Sequence, residues 1–198
     1  MVRKLKEEDE NPIDNLIYKV VEILDPIFYE LNFTPNIITT LSLFTGLLSG
    51  YYFYKNNYIC IPLWIISYIL DCSDGYFARK YKMTSKFGDY YDHISDTIKI
   101  IMIFYFLYIK YKPKKYKTEV FLLILLILLI LLFSILLVYH MSLQELVYNK
   151  KEDSSSLNIL NNLVDLDKNN IYWSRYFGCG TLNLVIVIMI YLSIKGKI

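Results

Sequence analysis

Residues 120–140, VFLLILLILLILLFSILLVYH, form an apolar run that ends only at His140. A bilayer core about 30 Å thick takes roughly 20 helical residues to cross, so a run of this length predicts a membrane span. The same ruler finds four more. Residues 37–54, IITTLSLFTGLLSGYYFY, carry no charge. From Tyr58 the chain is apolar to Leu70, and it reaches spanning length only if Asp71 and Asp74 are included. A third span, from about Phe87 to Ile109, carries Asp89, Asp92, His93, Asp96 and Lys99 in its first half, and a last runs from about Tyr176 to Ile194. With 55% hydrophobic and 17% aromatic residues, the chain is too apolar for an ordinary soluble domain. The expected fold class is therefore an all-α integral membrane bundle of five transmembrane helices, with residues 142–175 long enough to disguise a sixth.

The flanking segments are expected to complete a single transmembrane domain over residues 1–198. A polar tail, residues 1–12, precedes Ile13, Leu16, Ile17, Val20, Val21 and Leu24, which recur at helical spacing while Asp14, Lys19 and Glu22 point elsewhere. This predicts an amphipathic helix over 13–25, lying on the membrane surface and ended by Pro26. Residues 36–140 hold the core and the candidate active site, 142–175 form a polar connection with KKEDSSS at its loosest point, and 176–195 hold the last span. Ser42, Gly46 and Gly50 stand at small-xxx-small spacing, which suits close packing against a neighbouring span or a dimer seam. Cys60, Cys72 and Cys179 lack metal-ligand spacing and read as core residues, and His140 reads as an interfacial residue. The formal net charge is +2, and the lysines cluster at the ends of apolar runs, so nothing points to nucleic acid as a partner.

The charges inside the second and third spans need a purpose, because an ionised group at membrane depth costs several kcal/mol unless paired, hydrated or used. Asp71 and Asp74 are three apart on one helix and Asp92 and Asp96 four apart on the next, so each pair shares a face. The short basic turn KYKMTSK makes the two helices antiparallel neighbours, and four carboxylates converge near one membrane surface. Alone they would repel and protonate; hard divalent cations with oxygen ligands would hold them ionised. Gly75, Ala78 and Gly88 are small where a ligand or a neighbouring backbone must approach closely, and Arg79 offers a planar fork suited to phosphate. Lys99, seven residues after Asp92 and three after Asp96, shares their face and either balances charge or meets a substrate phosphate. Asp89 lies off that face. A bed of acids beside one arginine suggests metal-bridged phosphate chemistry.

Read with its spacing, Asp71-x-x-Asp74-Gly75-x-x-Ala78-Arg79, eight residues, Gly88-x-x-x-Asp92-x-x-x-Asp96 resembles the full signature of the CDP-alcohol phosphotransferases. TPNIIT, with Asn36 and Thr39, is similar to the segment that opens the first span in that family, and both residues are candidate supports for the site. The resemblance implies a membrane enzyme of phospholipid synthesis that transfers a substituted phosphate from a CDP-linked substrate to an alcohol and releases CMP. It implies two divalent ions, Mg²⁺ or Mn²⁺, held by Asp71, Asp74, Asp92 and Asp96, with Asp96 as ligand or as the base that deprotonates the attacking hydroxyl. Asp74, Gly75, Ala78, Arg79 and Gly88 would contact the CDP moiety. It also implies six spans, a homodimer, a lipid substrate, and a site facing the cytosol, in the endoplasmic reticulum or another internal membrane if the source is eukaryotic or viral. That orientation places KYKPKKYK, residues 110–117, on the far side, against the positive-inside tendency.

DHISD further resembles the Asp-His-x-x-Asp variant of the choline and ethanolamine phosphotransferase branch, in which the histidine is implicated in activating the acceptor hydroxyl. His93 thereby becomes a second candidate base, and a CDP-amino-alcohol with diacylglycerol is favoured over a CDP-diacylglycerol with inositol, serine or glycerol phosphate. A competing class is an ion or proton transporter with a carboxylate-lined path. A transporter does not need Gly75, Ala78 and Arg79 at fixed distance from the acids, and internal pseudo-symmetry, typical of transporters, is absent here.

Overall fold

A computed structural model describes residues 3, 5–111, 117–148 and 168–195. Among these the protein is helical throughout. The long helices are α1 (Pro12–Glu30), α2 (Pro35–Tyr54), α3 (Cys60–Lys80), α4 (Lys86–Tyr111) and α5 (Lys117–Tyr148). The chain resumes with a 3₁₀ turn at Lys168–Asn170, the short α6 (Ile171–Ser174), a second 3₁₀ turn at Arg175–Phe177, and α7 (Cys179–Ile194). Residues 149–167, which hold KKEDSSS and most of the expected polar connection, and residues 112–116 of the basic segment lie outside the described residues.

Local sequence explains where the helices begin and end. Asn11 and Thr34 cap α1 and α2 through side-chain oxygens that accept from Ile13 and Ile37 N–H, each followed by a proline whose missing N–H costs nothing at a first helical position. α1, α2 and α3 all stop at a residue in left-handed conformation, Asn32 (φ 54°), Asn56 (φ 54°) and Lys82 (φ 57°). At each, the next N–H returns to a carbonyl five residues back: Phe33 to Phe28, Asn57 to Tyr52 and Met83 to Ala78, at 2.8–2.9 Å. Ser85 then opens α4 by accepting from the Gly88 N–H at 3.0 Å.

Pro26 does not end α1; the helix continues through it to Glu30. The residues on either side of the proline are anchored on α3. Asp25 accepts from Lys80 and from the Tyr81 hydroxyl, and Phe28 is buried with Ile38 and Phe77, so packing outweighs one lost backbone bond. The face of α1 that meets the protein takes in only part of its apolar stripe and adds two acids. Asp14, Val21, Asp25 and Phe28 are buried, whereas Leu16, Val20, Ile23, Ile27 and Leu31 are exposed in a row.

α2 packs most extensively on α3, then on α4, while α1 lies across α3 and touches α7. The main core, built from Phe53, Cys60, Trp64, Ile103, Leu107, Ile130 and the Leu182–Ile190 face of α7, fills the end of the bundle away from the aspartates. Gly46 and Gly50 are used within the chain. A Cβ at Gly46 would meet the Lys99 stem and one at Gly50 the end of Met102, both from α4, so this stripe is an intramolecular contact and not a free dimer seam. Among the described residues, two stretches are by length and composition apolar enough to cross a membrane: Ile127–Gln144 of α5 and Ile171–Ile194 through α6 and α7. The other three expected spans carry the acids, or dilute their apolar residues with Thr, Ser, Gly and Tyr.

The N-terminal segment clasps the start of α7. Asn11 donates to the Arg175 carbonyl at 2.7 Å and to Thr181 Oγ1 at 2.8 Å, and Arg175 reaches back to the Glu8 carbonyl. Asp14 accepts from Tyr68 and from the Gly180 N–H. Only glycine fits at the seam, because a Cβ on Gly180 would stand 2.5 Å from Asp14 Oδ1 and 2.8 Å from Ile13 Cβ. Gly180→Ala should therefore destabilise the protein by about 1–3 kcal/mol. Gly50→Ala, which meets only the flexible tip of Met102, should cost less, as thermal unfolding in detergent would read. Glu10 is buried at the same seam, and desolvation, with the nearby Asp14 charge, pushes its carboxyl up to about 7. The folded state thus holds a proton that the unfolded chain releases above about 4.5, so stability falls as pH rises from there to 7. Glu10→Gln should leave stability at pH 4 unchanged and raise it at pH 8 by roughly 1–3 kcal/mol.

Candidate active site

The site forms where the first half of α2, the second half of α3 and the first half of α4 converge. Helical spacing puts Thr39 and Ser42 on one face of α2, Asp71 and Asp74 on one face of α3, and Asp92, Asp96 and Lys99 on one face of α4. Asp71, Asp92 and Asp96 each offer a carboxylate oxygen, and the three atoms lie within 4.8 Å of one another. Asp74 is 5% exposed, and its Oδ2 lies 2.5 Å from Thr39 Oγ1. That separation is shorter than the 3.1 Å from Thr39 to the Pro35 carbonyl, so the hydroxyl proton goes to the carboxylate.

Lys99 is the counter-charge. It is 5% exposed, and its ammonium bonds Asp96 Oδ1 at 2.7 Å, Asp71 Oδ1 at 2.8 Å and Ser42 Oγ at 3.0 Å. Ser42 in turn donates to the Ser67 carbonyl at 2.9 Å, and Ser67 Oγ returns to the Ser42 carbonyl at 2.8 Å. One oxygen stands apart: Asp92 Oδ1 is buried without a hydrogen-bond partner. A buried, unpartnered carboxylate oxygen beside two further carboxylates is a donor set that suits a hard divalent cation, since all the ligands are oxygens.

The remaining candidates are placed as follows. Gly75 is half-buried and leaves room for the Arg79 guanidinium, which a Cβ there would meet at 3.1 Å. Ala78 is half-buried one helical turn after Asp74. Gly88 brings α4 against the start of α2, where a Cβ would lie 3.2 Å from Asn36 Oδ1. His93 does not join the cluster; its side chain is 66% exposed, with Nε2 3.7 Å from Asp89 Oδ1 one turn back. His140 is buried, bonded to Ser174 at 2.9 Å and Gln144 at 2.7 Å, and is not one of the grouped acid ligands. Sequence reasoning missed Ser67 and took Ser42 for packing alone. The available signal was their phase, since Ser42 is three after Thr39 and Ser67 four before Asp71, which puts both on the faces that carry the site.

A family model described as CDP-alcohol phosphatidyltransferase matches residues 32–195. No curated protein and no solved structure matches the chain. The match begins just before α2 and takes in every residue of the site, and enzymes of this family use divalent metals to transfer a phosphate group from a CDP-alcohol in phospholipid synthesis. The chain belongs to the CDP-alcohol phosphatidyltransferase family of phosphotransferase enzymes.

Proposed function

We propose that this protein moves a substituted phosphate from a CDP-linked substrate to an alcohol in the membrane, releasing CMP, with divalent ions held by Asp71, Asp74, Asp92 and Asp96. The observation that carries the proposal is the meeting of Asp71, Asp92 and Asp96 within 4.8 Å around the buried, unpartnered Asp92 oxygen. Two Mg²⁺ or Mn²⁺ ions, once bound, would neutralise the diphosphate and stabilise the departing CMP. The chain's own residues do the rest. Gly75 and Ala78 keep the approach to the acids open for the nucleotide, and Arg79, folded over Gly75, presents its fork beside it. Asn36 and Gly88 hold the ends of α2 and α4 together. Asp96, at the solvent side of the cluster with 41% of its side chain exposed, takes the proton of the acceptor hydroxyl.

The placement in the bilayer belongs to the same proposal. α2, α3, α4, α5 and α7 are the five spans, and α1 lies on the surface with Leu16, Val20, Ile23 and Ile27 in the lipid. Exposed tyrosines and Trp173 support this placement, because most of them lie toward the two ends of the bundle, while Phe44 faces outward midway along α2. Tyr29, Phe87, Tyr90, Tyr172 and Trp173 ring the acidic end, and Tyr51, Tyr54, Tyr58, Tyr108 and Tyr191 ring the other. The 20 residues of α2 between them measure about 30 Å, the thickness of a bilayer core. Because soluble CDP substrates are cytosolic, the acidic end faces the cytosol.

For substrates, the Asp-His-x-x-Asp sequence favours a CDP-amino-alcohol with diacylglycerol, His93 meeting the acceptor hydroxyl from the exposed flank of α4. The outward position of His93 beside Asp89 favours the alternative, in which Asp96 alone is the base and the pair is a CDP-diacylglycerol with a polar alcohol.

CMP release from a panel of both donor classes tests the reading. Chelation should abolish turnover and Mg²⁺ or Mn²⁺ restore it. Asp71→Asn and Asp92→Asn should each lose several orders of magnitude while the protein still inserts, and near-normal turnover of either would remove the metal site. His93→Ala separates the two substrate readings. A kcat lowered about 10²-fold or more, with the CDP-substrate KM within a few-fold, supports a base at His93. An unchanged kcat returns that role to Asp96 and the choice to CDP-diacylglycerol.

A further inference from the structure

We propose that Lys99 is a positioning residue that acts as a built-in cation of the acid cluster. It competes with divalent ions for Asp71 and Asp96 and so sets the ion concentration at which the site loads. The inference rests on reading the cluster as the metal site. A lysine on a helix that enters an acidic pocket could merely balance charge at a distance, but this one occupies the ligand oxygens themselves. Its three hydrogens are committed to Asp71 Oδ1, Asp96 Oδ1 and Ser42 Oγ at 2.7–3.0 Å. A divalent ion sits about 2.0–2.6 Å from its oxygen ligands. Bound to the carboxylates that Lys99 already holds, it would face the ammonium across a few ångströms in a buried setting, where like charges repel strongly.

The surroundings fix the lysine in that position. Its stem crosses α2 at Gly46, where a Cβ would stand 2.7 Å from Lys99 Cδ, 2.9 Å from Cγ and 2.9 Å from Ser67 Oγ. Ser42 anchors the ammonium and is itself tied to the Ser67 carbonyl of α3. Three helices therefore combine to hold one charge between two acids. The arrangement keeps Asp71 and Asp96 from repelling each other while no ion is bound, at the expense of ion affinity. It also fixes the rotamer of Asp96, the residue that takes the acceptor's proton in the reading above.

The test uses the full-length protein in detergent, stripped of metal and titrated with Mn²⁺, the free ion being followed by electron paramagnetic resonance. Lys99→Met keeps the stem and removes the charge. Gly46→Ala keeps the charge and blocks the stem's path, so the measurement stands even if one variant does not fold. Both should bind Mn²⁺ roughly tenfold more tightly than the unaltered protein, because a competing positive charge has left the ligands. In CMP release, half-saturating Mn²⁺ should fall by a similar factor and kcat should fall with it, as Asp96 loses its anchor. Damage to the site would act in the opposite direction and weaken binding. If the unaltered protein binds Mn²⁺ and the variants bind it equally or more weakly, Lys99 is no competitor. If the unaltered protein binds none, the metal site itself is wrong and the inference falls with it.

Discussion

Like charges crowded into a low-dielectric space must be compensated where they stand, and in this protein that requirement fixes how α2, α3 and α4 can meet. Asp71 comes from α3, Asp96 from α4, and the hydroxyl that steadies their shared lysine from α2. A rotation of any one helix by a single residue would carry its member out of reach and leave a buried charge unmatched. The glycines of α2 follow from the same demand. Without Gly46 the lysine could not pass, and at Gly50 the Met102 side chain takes the space a Cβ would fill.

Burial of charge is divided unequally along the bundle. The acidic end is held by directional bonds such as Thr39 to Asp74, Ser42 to Ser67 and Asp25 to Lys80 and Tyr81. The opposite end is an apolar core around Phe53, Trp64, Leu107 and Met189 with few polar contacts, among them Trp64 to Asn183 and Ser49 to the Cys60 carbonyl. On the proposed reading, an enzyme that handles a charged nucleotide at one face of a bilayer has reason to be built this way. The packed half supplies a rigid support, and the polar half keeps its donors and acceptors aimed.

The approach of Asp71, Asp92 and Asp96 was legible in the sequence because a helix converts spacing directly into a shared face, and an acid in an apolar run has few reasons to exist. The order of α2 to α5 was legible for the same reason of periodicity and length. What escaped depended on partners distant along the chain. Pro26 looked like a helix end because the contacts of Asp25 with Lys80 and of Phe28 with Phe77 that carry α1 past it join residues about 50 positions apart. Asp14 looked like a solvent-facing charge because its acceptor role depends on Tyr68 and Gly180. His93 followed the aspartates in sequence, yet helix phase turned it outward, and Ser67 was one serine among many until α2 lay beside it.

The clasp between the N-terminal segment and α7 joins residues at opposite ends of the chain, Asn11 and Thr181 being 170 positions apart. A ribosome makes the first of these partners long before the second. Throughout the synthesis of α2 to α5, the Asn11 side chain and Asp14 lack the groups that complete their bonds, and α1 has only α3 and the start of α2 to hold it. The row of apolar residues along its outer face gives it somewhere to wait. The bundle can close only when its last helix arrives, so a nascent chain cut short before Gly180 would carry all four aspartates and still lack the contact that locks its first helix in place.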